Sequence, residues 1–455
     1  MLKIFNTLTK KKEKFKSIYS KIVNIYVCGV TVYDLCHIGH GRTFVIFDMI
    51  VRYFNYIGYK VNYIRNITDI EDKIIIQSNK LKKNIYQLTN DMIYEMHKDF
   101  DKLNILRPTF EPRATNNIKY IIKIIKILLK NKKAYIAPDG NVFFSVSSQK
   151  NYGNLSKQNI FKLKEGIRIK KNFNKKNFKD FILWKLSPLQ EPSWDSPWGN
   201  GRPGWHIECS SINYKYFNSH CDIHGGGSDL IFPHHENEIA QSFSIKNKSC
   251  VNFWIHSGTI INNNKKMSKS LGNFLYLRNI MKKYHPEVIR YFFMSSHYRN
   301  NISYKENELI KSQNSLKKLY TVLNNTNTNI KPFGGDIFIK EFNKSMNNDF
   351  NTPQAYCVLF KLVKKINYMK KKESKLINGL SSTLKYLGQI LGIFKENPKN
   401  FLKNFTKKNN KYIIKLIKQR NIAREKCQWD ISDKLRKKLL SMGIFIKDKS
   451  YKKNI

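Results

Sequence analysis

The chain has 455 residues, 41% of them hydrophobic, which allows two to four domains with real cores and excludes a disordered chain. No run of about 18 apolar residues occurs, so no membrane span is expected. Its 82 Lys and Arg against 33 Asp and Glu give a formal charge of +49, a field that favours an RNA partner. Lys, Ile and Asn abound throughout, and their codons are rich in A and T, so base composition supplies part of the excess. The seven cysteines are scattered and lack any C-x-x-C spacing. That usage fits a reducing cytoplasm with free thiols, some of them available to a metal. Met1 to Lys21 is dotted with Lys and has no apolar core or small-residue cleavage site, so neither a secretory signal nor an Arg-rich transit peptide is expected.

Ile25 to Val32 reads as a buried strand. Gly41 to Tyr56 has helical apolar spacing through Phe44, Phe47, Ile50, Val51 and Phe54, and Gly58 caps that helix. Lys60 to Ile67 is a second strand. Strand, helix and strand make a βαβ unit, so the sheet is parallel and its ligands lie beyond the C-terminal strand ends. From Glu111 to Asn200 the character changes. A helix from Asn117 to Leu129 leads to short strands near Tyr135 and Phe143. A basic loop then runs to Trp184, followed by a Pro- and Trp-rich stretch to Trp205. The sheet pattern resumes from Gly204 to Ile261. Later helices are expected at Pro286 to Met294, Glu306 to Leu323, Pro353 to Met369 and Ser382 to Phe394. Asn397 to Asn410 reads as a polar linker, and Tyr412 to about Asp448 as a small last unit.

Two short motifs lie far apart in this frame. His37-Ile38-Gly39-His40 opens the first helix, where unpaired N–H groups and a partial positive charge suit phosphate. His37 and His40 are three apart, so both can face one side of that turn. Gly39 leaves room for a base or ribose. Lys266-Met267-Ser268-Lys269-Ser270 sits in a polar loop. Cations there would stabilise charge building on a phosphoryl group under attack. Gly227 and Asp229 follow a glycine run, and the carboxylate can accept from ribose hydroxyls. His234 and Glu238 are i, i+4, a sound two-ligand unit for zinc. Cys28, near the end of the first strand, and Cys209 can both reach the same cleft. His235, His224 and Cys221 remain open as substitute ligands.

The two motifs, in this order, resemble the signature pair of class I aminoacyl-tRNA synthetases. Cys28 to Asp34, Arg65 to Asp69, Gly201 to Ser210 and Phe232 to Glu238 are similar, within that class, to the cysteinyl-tRNA synthetases. The resemblance implies an α/β fold: a Rossmann-like parallel-sheet catalytic domain split by an insertion, then an α-helical bundle and a small C-terminal anticodon-binding unit. We place the catalytic halves at 1–110 and 201–262 and the insertion at 111–200. The signature loop and stem contacts take 263–310, the bundle 311–395, and the linker with anticodon unit 396–455.

It further implies ATP with Mg2+, L-cysteine and the tRNA for cysteine as partners, and one Zn2+ per chain on Cys28, Cys209, His234 and Glu238. His37, His40, Lys266 and Lys269 would carry catalysis. Gly39, Gly227, Asp229 and Lys269 would hold the nucleotide, with Gly29, Thr68, Trp205 and His224 around the amino acid. Arg424, Trp429, Asp433 and Asp448 would contact the anticodon. A cytoplasmic monomer without membrane contact is expected. Zinc prefers a thiolate to a neutral hydroxyl, which would separate cysteine from serine. Four protein ligands normally close a zinc site, so either a fifth position opens or Glu238 is held loosely. The chain departs from the pattern at its end, where the Trp- and Arg-containing tail expected after Asp448 is missing. Two alternatives are a ligase that joins cysteine to a sugar-like amine and a catalytically dead RNA-binding paralogue.

Overall fold

The structure is a computed structural model that describes residues 1–158, 174–218, 220–262, 265–266, 274–370 and 376–441, without the side chains of 265–266, 404–415 and 440–441. Two N-terminal strands, β1 (Lys3–Asn6) and β2 (Lys11–Lys14), form an antiparallel hairpin. The apolar run that follows is β3 (Ile22–Thr31), which leads into helix α1 (Ile38–Tyr56) and then β4 (Lys60–Thr68). β3 and β4 pair in parallel, as the βαβ reading requires. Helices α2 (Asp72–Leu81) and α3 (Ile85–Lys102) follow.

Next come α4 (Ile118–Lys130) and the strands β5 (Ala134–Ile136), β6 (Val142–Phe144), β7 (Phe181–Leu186) and β8 (Gly201–Pro203), an antiparallel sheet in that order. The chain then returns through α5 (Trp205–Phe217), β9 (Cys221–Gly227), α6 (Glu236–Lys246) and β10 (Val251–Ser257). The main sheet has the order β10-β9-β3-β4, and its pairs are parallel. β3 and β9 are therefore central, which is why their side chains are buried on both faces. Short strands β11 (Ile260–Asn262) and β12 (Lys265–Lys266) precede α7 (Leu277–Lys283) and α8 (Pro286–Met294), and β13 (Ile302–Tyr304) returns to pair with β11.

Contacts divide the chain into two units. One comprises Met1–Tyr304, Lys340–Tyr356 and Ile390–Gly392; the other comprises Lys305–Ile339, Cys357–Gln389 and Ile393–Ile455. The remaining helices are α9 (Glu306–Leu323), α10 (Asp336–Met346), α11 (Thr352–Lys370), α12 (Leu376–Ile390), α13 (Pro398–Glu425) and α14 (Trp429–Ser441). In the second unit, Tyr320 of α9 stacks on Phe401 of α13 at 3.7 Å.

In the first unit α1 lies on the sheet through Phe44, Phe47, Ile50 and Phe54, all buried. A Cβ at Gly225 would fall 2.1 Å from Phe47 Cζ, so this glycine serves helix-on-sheet packing. Asp48, on the same helix, is fully buried and pairs with buried Arg290 of α8. Its Oδ1 accepts from Leu106 N at 2.7 Å and its Oδ2 from Arg52 Nε at 2.8 Å. Arg290 also donates to the carbonyls of Leu103, Asn104 and Leu391. That network ties α1, α8 and the 390–392 segment together.

Three stretches differ from the sequence reading. The basic loop running to Trp184 contains β7, whose Trp184 is buried. Asn397 to Asn410 is helix rather than linker: Asn397 caps α13 by accepting from Lys399 N at 3.0 Å, and Pro398 occupies its first turn. Helices α2 and α3 fill a region for which no element was expected. Ile444 to Ile446, strand-like in sequence within that last unit, lie outside the described residues. Removing one partner of a buried ion pair leaves the other uncompensated. Asp48→Ala is therefore expected to cost about 3–5 kcal/mol of stability, read as a shift in the urea unfolding midpoint.

Candidate metal and nucleotide site

Cys28 lies near the C-terminal end of β3, and Cys209 faces it from the second turn of α5. The segment after β9 turns sharply: Phe232 is extended and His234 sits just before α6. His234 and Glu238 still meet, with Nε2 to Oε1 at 3.1 Å. Cys28 Sγ is 3.7 Å from Cys209 Sγ and 3.2 Å from Glu238 Oε1. The donor atoms of Cys28, Cys209, His234 and Glu238 all lie within 4.8 Å of one another, and every residue is buried. A second grouping, Cys28, His224, His235 and Glu238, meets the same limit. It shares two members with the first. Cys221 is in neither, and its thiol donates to Ile223 O at 3.1 Å.

The electrostatics mark a site built for a cation. Burial and the Cys209 hydrogen bond push the Cys28 thiol well up. Burial also works against the Cys209 thiolate, but the hydrogen bond from Cys28 and the His234 ring outweigh it and hold that thiol down at about 6. Burial opposes charge on His234, yet Glu238 and Cys209 lift it to about 10. Burial likewise opposes charge on Glu238, and His224 and His234 hold it well below the usual carboxylate range. Glu238 Oε2 is buried without a hydrogen bond; His224 Nε2 lies 3.4 Å away, outside bonding geometry. Two sulfurs, an imidazole and a carboxylate with an orphaned oxygen are a donor set that can hold a divalent metal.

Around it stand the residues expected near an amino acid. Gly29 N donates to Asn66 Oδ1 at 2.8 Å, and a Cβ at Gly29 would sit 1.5 Å from Asn66 O, so only glycine fits. Thr68 Oγ1 donates to Glu208 Oε2 at 2.9 Å. Trp205 packs over His234 with ring centroids 4.3 Å apart. His224 stacks between Trp254 at 4.4 Å and Tyr26 at 4.9 Å, and its Nδ1 lies 3.2 Å from Asn213 Nδ2. Two residues were not singled out from the sequence. His206 Nδ1 lies 2.9 Å from His234 Nδ1, and buried Glu208 holds Thr68. Both sit inside the Gly204 to Ser210 motif, which was the available signal.

At the nucleotide end, His37 is the N-cap of α1. Its Nδ1 accepts from Gly39 N at 3.0 Å and His40 N at 3.3 Å, while His40 Nδ1 accepts from His37 N at 3.4 Å. The two rings stack with centroids 3.7 Å apart. A Cβ on Gly39 would lie 2.7 Å from His37 Cε1, so the glycine makes room for the capping ring. Gly227 ends β9, and Asp229 is exposed in the turn after it. Lys266 is in β12 with its side chain outside the description, and Lys269 lies outside the described residues. In the second unit, the Arg424 guanidinium lies 5.9 Å from the Trp429 ring centroid, and Trp429 is 57% exposed. Asp433 is exposed on α14, and Asp448 lies outside the described residues.

Residues 14–314 match the family model for the class I tRNA synthetase (C) catalytic domain, and 341–395 match the DALR domain. Curated relatives named cysteine–tRNA ligase include that of Baumannia cicadellinicola, 54% identical and covering 98% of both chains. The enzyme of Buchnera aphidicola (strain Tuc7) is 55% identical over 98% of this chain and 97% of its own. That of Haemophilus influenzae (strain 86-028NP) is 51% identical over 98% of both. Among solved structures, Mycobacterium tuberculosis methionyl-tRNA synthetase with methionyl-adenylate superposes with a TM-score of 0.56, 12% identity, and coverage of 81% and 89% of the two chains. At that identity the likeness speaks for the fold.

A ligand imidazole bonds metal through one nitrogen and is oriented by what its other nitrogen meets. His206→Leu is accordingly expected to weaken metal retention about 10- to 100-fold. Chelator competition on the purified protein measures that change.

Proposed function

Because this chain belongs to the cysteine–tRNA ligases of class I, which join cysteine to its tRNA with ATP, we propose that its buried donor cluster holds Zn2+ and selects the substrate. Neither alternative, the sugar-amine ligase or the dead paralogue, is supported by relatives more than 50% identical over nearly the whole chain. One observation carries the metal reading: Cys28, Cys209 and the His234/Glu238 pair converge from three separate chain segments, all buried, with a carboxylate oxygen unsatisfied. When bound, the zinc supplies affinity for a thiolate that a serine hydroxyl cannot match.

The chain's own groups do the rest. Gly29 and Thr68 line the approach to the amino and carboxyl groups of cysteine, with Trp205 and His224 walling its side chain. His37 and His40, at the N-terminus of α1, donate to ATP phosphate oxygens, where the helix end favours anionic charge. Gly39 lets that turn lie close, and Gly227 and Asp229 take the ribose. ATP enters with Mg2+. The cysteine carboxylate attacks the α-phosphorus, the bond to the β-phosphate oxygen breaks, and pyrophosphate leaves. Lys266 and Lys269 stabilise the charge that builds on the phosphoryl oxygens. A terminal hydroxyl of the tRNA then attacks the activated carbonyl, and AMP leaves. No covalent enzyme intermediate is required; positioning and charge stabilisation suffice.

At the RNA end, Arg424, Trp429, Asp433 and Asp448 read the anticodon: the exposed indole stacks on a splayed base and the carboxylates meet base edges. The proposal keeps the division into catalytic halves at 1–110 and 201–262, an insertion at 111–200, a bundle at 311–395 and an anticodon-binding unit within 396–455. A monomer working in the cytoplasm completes the proposal, in keeping with its free cysteines.

Cys209→Ser is expected to lower zinc content and cysteine-dependent ATP–pyrophosphate exchange together, each by at least about tenfold. Metal analysis beside the exchange assay tests this, and full exchange by a zinc-free variant overturns it. Trp429→Ala should leave exchange intact and lower charging of tRNA, since stacking is worth about 1–3 kcal/mol per base. Charging kinetics at varied tRNA concentration supply the check.

A further inference from the structure

The two signature motifs are joined by the chain that leaves the second one. Residues 274–277 run antiparallel to the loop before α1, with His37 and Tyr276 bridged. Ile38 N donates to Leu275 O at 3.0 Å, and Leu277 N donates to Cys36 O at 2.9 Å. Phe274 sets its ring edge-on to His37, 4.9 Å between centroids. Leu277 is buried and so close to α1 that a Cβ on Gly41 would lie 2.9 Å from its Cδ1. A side-chain bond spans the same seam. Tyr276 Oη donates to Asp34 Oδ2 at 3.0 Å, while Asp34 Oδ1 accepts from Leu35 N at 2.7 Å. Asp34 thus uses one oxygen to shape the loop that ends in His37 and the other to hold Tyr276.

We propose that Tyr276, through Asp34, is a positioning residue for adenylate formation: it holds the turn that carries His37 and His40 in place for the triphosphate. The inference rests on the reading of His37 and His40 as phosphate contacts. Donors to the reacting phosphoryl group that wander lose most of their effect in the transition state. Neither Tyr276 nor Asp34 belongs to the metal cluster, so cysteine capture does not depend on the pair. The backbone bridges hold the seam when the hydroxyl is removed, so the fold survives while Asp34 and the loop ending in His37 lose their side-chain anchor.

The test is a double-mutant cycle in cysteine-dependent ATP–pyrophosphate exchange with Tyr276→Phe, Asp34→Ala and the double variant. Tyr276→Phe should lower kcat about tenfold, with the KM for cysteine, zinc content and the thermal midpoint unchanged. In the double variant the Tyr276→Phe change should add nothing to Asp34→Ala. Wild-type kcat in Tyr276→Phe, multiplicative effects, or a loss confined to thermal stability overturns the inference. His40→Ala, run alongside, separates the two levels. Full activity in that variant removes the phosphate reading itself; an inactive His40→Ala beside a fully active Tyr276→Phe removes only the positioning role.

Discussion

Two sulfurs 3.7 Å apart, a carboxylate and an imidazole, all shut away from water, are costly companions. Each charged form is penalised by burial, and the only relief inside the cluster is mutual: Cys28 shares its proton with Cys209, and His234 gains charge beside Glu238. The arrangement makes sense as a cage for a cation. It also constrains the scaffold. The four donors come from β3, α5, the turn after β9 and the start of α6. They converge only because β3 and β9 are adjacent and parallel, which delivers both C-terminal ends to one edge. Gly29 and Gly225 belong to the same constraint. One lets β3 close onto Asn66, and the other lets Phe47 seat α1 on the sheet.

The same edge supplies the second half of the chemistry. α1 follows β3 by a short loop, so its positive N-terminus lies at the C-terminal end of the strand that carries Cys28. His37 spends one ring nitrogen capping the helix and thereby fixes its own orientation and that of stacked His40. In the proposed reading, selection of cysteine and handling of phosphate fall to different groups at one sheet edge. The buried Asp48–Arg290 pair joins α1 to α8. None of this requires the strongly basic surface, whose pull on polyanions acts at longer range.

Much of this was legible in the residues. β3, α1, β4, α8 and α9 announce themselves through apolar spacing, because each buries a face whose period the sequence must carry. The motifs at 37–40, 204–210 and 232–238 pointed to the site, since metal and phosphate chemistry restrict residue type at each position. What stayed hidden depends on distant partners. β7 reads as part of a basic loop until β6 and β8 pair with it. α13 looks like a linker because its lysines and asparagines mask a face that Phe401 buries. His206 is visible in its motif, but only the fold brings its ring to His234. Likewise, no spacing rule brings Tyr276 to Asp34, 242 positions away.

The central claim is that a metal held by Cys28, Cys209, His234 and Glu238 recognises the substrate's sulfur. Zinc K-edge X-ray absorption on the purified protein, with and without cysteine, measures that directly. Two sulfur neighbours at about 2.3 Å are expected in the protein alone and one more when cysteine is added, with serine producing no change. Absence of zinc, or a sulfur count that cysteine leaves untouched, would contradict it.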